Sequence, residues 1–370
     1  MFWKKKNNNK GEVYQGSLVA DATITDYLTD GLLVFDSNSK LSLVNPQTEE
    51  LFKVKKEKIL GQSILELTRF PSFGHLVSLL GGGIAEFSKK ELKIRENFIL
   101  EVTSVPILTK GEKVGNLVIL SDVTREKLVD RMKSEFVTLA AHQLRTPTSG
   151  IKWSLRALLD GDLGKLNEKQ KEILEKTYNT NDKVINLVND LLNVAQIEEG
   201  KYLNKITLSS IEDVIQSVVK AYAKKIKEKK LKFEFKKPEE ELPKIMLDRE
   251  KMKIAVENIL DNAVNYTLPG GKISVFIKSD TKEIEVQVKD TGIGIPQNQQ
   301  DKVFTKFFRS GSAMRVETEG SGLGLYIAKN IIEAHGGRIW FNSEGGRGST
   351  FYFIIPIKEE FGEFLTEEFY

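Results

Sequence analysis

Three groups of side chains in this 370-residue chain have types and spacings suited to chemistry. The first surrounds one of its three histidines, His142, in AAHQLRTP (140–147). A neutral imidazole is nucleophilic near physiological pH and needs little activation. Thr146 follows four residues later, on the same helical face, where its hydroxyl could orient a water against a phosphorylated ring. Pro147 removes the amide that would bond the Gln143 carbonyl, so a helix can bend there. His142 therefore reads as a phosphate-carrying nucleophile, with Arg145 beside it.

The second group lies downstream in ENILDNAVNYT (257–267), and the third in the two glycine runs DTGIGIP (290–296) and GSGLGL (320–325). Asn258 and Asn262 are four apart, so both amides face one way on a helix. Magnesium prefers oxygen ligands, keeps several waters and accepts a carboxamide oxygen. Asp290 is an acceptor suited to the exocyclic amine of adenine. Gly292 and Gly294 would let the backbone approach a flat base. Gly320, Gly322 and Gly324 precede a helix, whose amino end favours phosphate. One region offers an acceptor and the other holds a phosphoryl donor, ATP.

Composition removes several classes of function. Lys plus Arg is 55 and Asp plus Glu 52, a balance that gives no strong field for nucleic acid. Cysteine is absent, which excludes disulfides, thiolate metal sites and cysteinyl-flavin chemistry and fits a reducing compartment. The longest apolar runs, such as NLVIL (116–120) and FYFIIPI (351–357), are far short of a membrane span. The expectation is a soluble, cytoplasmic chain without a transmembrane segment. Lys4, Lys5 and Lys6 could touch an acidic membrane surface, although a frayed polar terminus is the plainer reading.

The elements that must position these groups suggest a multidomain α+β chain. After a basic segment (1–19), residues 20–124 alternate short strands and helices. There LLVFD and KLSLVN flank a DSNS turn, and FILEVTSVPIL and VGNLVILSDV flank TKGEK. Residues 125–203 form a charged helical hairpin. Val129, Met132, Phe136 and Leu139 mark one apolar seam, and Ile173, Thr177, Thr180, Val184, Leu187, Leu191 and Val194 mark another; DGDLGKLN (160–167) forms the tip. Two helices cannot cover both seams, so a homodimeric four-helix bundle is expected. Residues 206–358 mix strands and helices as an α/β sandwich, and an acidic, aromatic tail (359–370) follows.

On these residues, 132–157 resembles the phosphoacceptor box of bacterial sensor histidine kinases of two-component systems. The downstream motifs, with FTKFFR (304–309), resemble the N, G1, F and G2 boxes of the same superfamily's ATPase domain. Residues 20–124, with the SDVTRE exit (121–126), resemble a PAS domain. The resemblance implies ATP-dependent phosphorylation of His142 and transfer to an aspartate of a response-regulator receiver domain. It assigns magnesium to Asn262, adenine to Asp290, a place beside the nucleotide to Tyr266, phosphate to Arg309, and support of the adenine contact to Thr350. Thr146 occupies the position linked to phosphatase activity. Many relatives carry an acidic residue after the histidine; here Gln143 can accept a hydrogen bond but takes no proton. Asn265 stands where relatives often have a phosphate-binding lysine. Asn258 stands where gyrase-like and chaperone-like relatives have a catalytic glutamate, which argues against an ATP-driven machine. The alternative is an ATP-binding scaffold or a phosphatase-biased member. His335 is expected to cap a helix, and His75 to be packed core rather than a haem ligand. The sensor ligand, the cognate regulator and cis or trans phosphorylation stay open.

Overall fold

The computed structural model describes residues 25–95, 97–200, 203–317 and 320–357. The basic segment (1–19) and the acidic tail (359–370) lie outside the described residues. The chain divides into two compact units, one up to Asp130 and the other from Arg131.

The first unit is an antiparallel sheet of β1 (Gly31–Asp36), β2 (Leu41–Val44), β3 (Phe87–Arg95), β4 (Phe98–Thr109) and β5 (Glu112–Asp122), in the order β2-β1-β5-β4-β3. Helices α1 (Pro46–Phe52), α2 (Lys56–Ile59) and α3 (Gly74–Leu80) lie between β2 and β3 in sequence. Both expected hairpins form. The Asp36 carboxylate closes the DSNS turn by accepting from the Asn38 and Lys40 amides, each at 2.9 Å. Period-two alternation turns Leu100 and Val102 of β4 and Val118 and Leu120 of β5 inward, against Leu33 and Phe35. Strand β3 escapes a hydrophobicity reading because it is an edge strand with exposed Lys89, Lys90 and Lys93, the charges that keep an open edge from pairing with another chain. His75 corrects an expectation. It is exposed on α3, while Leu76, Val77 and Leu80 fill the core.

Helix α4 (Thr124–Asp160) runs unbroken through Pro147, and α5 (Glu168–Glu198) returns beside it. Near the missing amide, the Thr148 hydroxyl donates to the Leu144 carbonyl at 2.7 Å. Gly161 and Gly164, at φ 86° and 117°, make the tip. Asn167 then starts α5 with a reciprocal capping box, Asn167 and Gln170 each bonding the other's amide at 2.9 Å. Ala141, Val188 and Leu192 pack between the helices. Asn181 donates to the Thr148 carbonyl (2.9 Å) and Arg145 to Asn189 (2.7 Å). The expected seam residues behave differently. Val129, Met132, Phe136, Leu139, Ile173, Val184 and Leu187 are exposed, and only Leu191 and Val194 turn into the ATPase-like core.

That core lies in the rest of the second unit. A two-stranded piece, β6 (Ile206–Ser209) with β8 (Ile245–Asp248), precedes the main sheet. The main sheet contains β7 (Lys232–Lys236), β9 (Lys272–Ser279), β10 (Glu283–Asp290), β11 (Arg338–Glu344) and β12 (Gly348–Pro356), in the order β11-β12-β10-β9-β7. Only the β7–β9 pair in it is parallel. Helices α6 (Ile211–Glu228), α7 (Arg249–Tyr266) and α9 (Gly324–Ala334) share one apolar core with it. A short α8 (Gly311–Val316) lies between β10 and α9. No helix among the described residues is long and apolar enough to cross a membrane.

Candidate active site

Helix α7 carries the polar stripe. Met252, Val256, Ile259, Leu260 and Ala263 bury one side, which leaves Asn258, Asp261, Asn262 and Asn265, at helical spacing, on a cavity of ≈ 750 Å³, a size that suits a small ligand. The start of the helix is fixed twice. Asp248 accepts from the Lys251 amide at 3.1 Å, and the Asp248 amide donates to His335 Nε2 at 3.0 Å. His335 Nδ1 lies 2.7 Å from the Ile331 carbonyl, so Nδ1 carries the proton, the ring is neutral, and burial lowers its pKa. The expected cap at the end of α9 is therefore a neutral link between α9 and α7.

Asp290 closes β10 at 6% exposure. Burial raises its carboxyl to about 6, against the opposing effect of the Gly292 and Ser349 amides at 2.8 and 3.2 Å. Gly294 has φ +61°, and a Cβ there would lie 1.9 Å from the Glu344 carbonyl oxygen. Its side of the cavity is thus built by the chain's own close approach. Above α7, Gly324 leaves room for Asn258, whose Oδ1 would be 2.6 Å from an added Cβ. The Ser321 hydroxyl donates to Asp190 of α5 at 2.9 Å. Burial raises the Asp190 pKa, and the Ser321 bond opposes that rise. Arg309 donates to the Glu317 carbonyl.

Among the residues singled out from sequence, Asn258, Asn262, Tyr266, Asp290, Gly294, Arg309, Gly320, Gly322 and Gly324 line the cavity. Two do not. Gly292 is packed so that a Cβ would meet the Tyr266 carbonyl oxygen at 2.3 Å, so its bareness serves the protein backbone and not a base. Thr350 points away from the lining, which takes its neighbours Ser349 and Phe351; the bond to Asp290 comes from Ser349. Strand alternation decides between the two. His142, Gln143 and Thr146 are exposed on α4, outside the lining, while the cavity is walled partly by Lys183, Asn186, Leu187 and Asp190 of α5.

The His Kinase A (phospho-acceptor) domain family matches residues 132–200, and the Histidine kinase-, DNA gyrase B-, and HSP90-like ATPase family matches 247–359. Sensor histidine kinase WalK of Bacillus subtilis (strain 168) is 31% identical over 345 residues, 92% of this chain and 55% of that protein. The chain thus carries one domain of each of these two families. The alginate biosynthesis sensor protein KinB of Pseudomonas aeruginosa is 27% identical over 351 residues, 94% of this chain and 58% of KinB. Full-length ShkA in complex with AMPPNP superposes with a TM-score of 0.49 at 26% identity, covering 60% of this chain and 45% of that one. The chain spans just over half the length of WalK and KinB.

Sequence reasoning missed Asp190, Lys225, Asp261, Ser321 and Ser349 on this cavity wall. Asp261 had a signal, since it sits three residues after Asn258 on the same stripe. Lys225 and Asp190 come from other helices and had none.

Proposed function

We propose that this chain is the kinase portion of a two-component system, phosphorylating His142 from ATP and passing the phosphoryl group to an aspartate of a response regulator. The observation that carries this is one cavity that joins the asparagine face of α7, the buried Asp290 carboxylate and the glycine loop before α9, in the same unit as an exposed His142. The ring nitrogen attacks the γ-phosphorus, the bond to the β–γ bridging oxygen breaks, ADP leaves, and the imidazole proton goes to solvent. Asp290 accepts from the adenine amine, and Tyr266 borders the nucleotide. Magnesium takes few protein oxygens and fills its shell with phosphate and water. Asn262, half-buried on the cavity wall, suits that need and would hold it, and the ion would neutralise phosphate charge. Thr146 and Gln143, exposed beside His142, would orient a water for a separate hydrolytic step, in which the water oxygen bonds to phosphorus and inorganic phosphate leaves.

His142 is not part of the cavity lining, so the nucleotide-bearing portion has to leave its seat on α5 or act on a partner's hairpin. The exposed seam of α4 and α5 supports a homodimeric four-helix bundle. The order β2-β1-β5-β4-β3 supports a PAS-type sensor in the first unit. Its β4 holds the first residue of α4, the Ile99 amide donating to the Thr124 hydroxyl at 3.0 Å, a route from sensor sheet to helix.

Incubation with γ-labelled ATP is expected to give an acid-labile, alkali-stable phosphoprotein, and His142→Ala to abolish the label. A second reading, a phosphatase-biased regulator, is favoured by Gln143 and by the Asp190–Ser321 bond that ties the glycine loop to α5. It predicts nucleotide binding without label, together with loss of phosphate from a phosphorylated receiver domain.

A further inference from the structure

The cavity wall carries Asp190, Asp261 and Asp290 among its acids, an unfavourable surface for a polyphosphate unless cations offset it. The α7 stripe supplies none, because its exposed-end residue is the neutral Asn265. A cation does reach the stripe from α6. Lys225 Nζ lies 2.8 Å from Asp261 Oδ1, and the other oxygen of that carboxylate accepts from Asn265 Nδ2 at 2.6 Å. A single carboxylate therefore holds the Lys225 ammonium beside the Asn265 amide, on the wall shared with Asn258 and Asn262. The neighbouring Lys229 is committed elsewhere, to the Val264 and Asn265 carbonyls at 2.7 and 2.6 Å. Lys225 keeps 47% of its side chain exposed, and an ammonium has three donors, of which Asp261 takes one.

Resting on the reading of the cavity as an ATP site, we propose that Lys225, aimed by Asp261, binds the terminal phosphates of the nucleotide and supplies from α6 the positive charge that α7 lacks. A strongly hydrated point charge on a flexible stem suits a phosphate whose position changes during transfer. The bland alternative is an ion pair that only pins α6 to α7.

Titration calorimetry with ATP and adenosine, on wild type, Lys225→Met, Lys225→Arg and the double variant Lys225→Met/Asn265→Lys, separates the two. Lys225→Met is expected to weaken ATP roughly tenfold or more while leaving adenosine unchanged. Lys225→Arg should retain ATP binding, and Asn265→Lys should restore it in the Lys225→Met background. If Lys225→Met binds ATP within about twofold of wild type, or loses ATP and adenosine equally, the proposal is overturned. A wild type that binds no ATP overturns the reading of the cavity itself, and this inference with it.

Discussion

Asp290 is a carboxylate with only two backbone donors to offset its burial, and its pKa of about 6 follows. The folded value lies above the ordinary aspartate value of 3.8, so its contribution to stability is fully present below about 3.8 and is lost as pH rises through about 6. At neutral pH the fold therefore carries a buried charge that those two amides only partly offset, and an adenine amine would offset it further. Affinity for adenine nucleotides should rise between about pH 5 and pH 7, and calorimetry across that range checks it. Asp290→Asn should flatten the profile, melt no lower than wild type above about pH 6, and lose about 2 kcal/mol or more of nucleotide affinity, because a neutral amide accepts the amine less strongly. At this scale much of the site was legible. Asp290, Asn258, Asn262, Gly294, Gly320, Gly322 and Gly324 were singled out by type and offset, and they meet on one cavity. The choice of Ser349 over Thr350 was not legible, because adjacent strand residues face opposite sides and register is set by pairing with β10.

Helix α7 depends on His335 for its entry. The ring accepts the Asp248 amide and donates to Ile331 at 1% exposure, so His335→Ala strands a buried donor and should cost about 2 kcal/mol or more by urea denaturation. Its folded pKa lies below the ordinary histidine value of 6.5, because burial disfavours the charged ring. The histidine must be neutral to make both bonds, so its stabilisation is present above about pH 6.5 and fades as pH falls through the folded value. An isosteric His335→Gln variant should lack that acid-side loss in a denaturation series. The longer elements were legible because hydrophobic period separates helix from strand over many residues. The edge strand β3 and the four-residue β6–β8 pair were not. Lysines hide the first, and the second is too short for alternation to show and forms only because distant segments meet.

The hairpin exposes Met132 at 67%, Phe136 at 71% and Leu139 at 61% along one side of α4, and Ile173 at 64% on α5. Ridges of this kind bury well only against a matching helical surface. Phe136→Glu should convert a dimer to monomer in sedimentation equilibrium. It should leave the circular dichroism of the ATPase-like portion intact, because Phe136 takes no part in that core. The outer seam was legible, and its residues stand exposed; the inner contact through Ala141, Val188 and Leu192 was not, since helices with two apolar stripes do not say which faces inward. The Asp190–Ser321 bond has a thermodynamic corollary. If the cavity binds nucleotide more tightly once that bond is broken, nucleotide must promote its release by the same factor that release raises affinity. Occupancy and hairpin position would then form one reciprocal equilibrium, and cellular ATP would act on the stalk as an effector as well as a phosphoryl source.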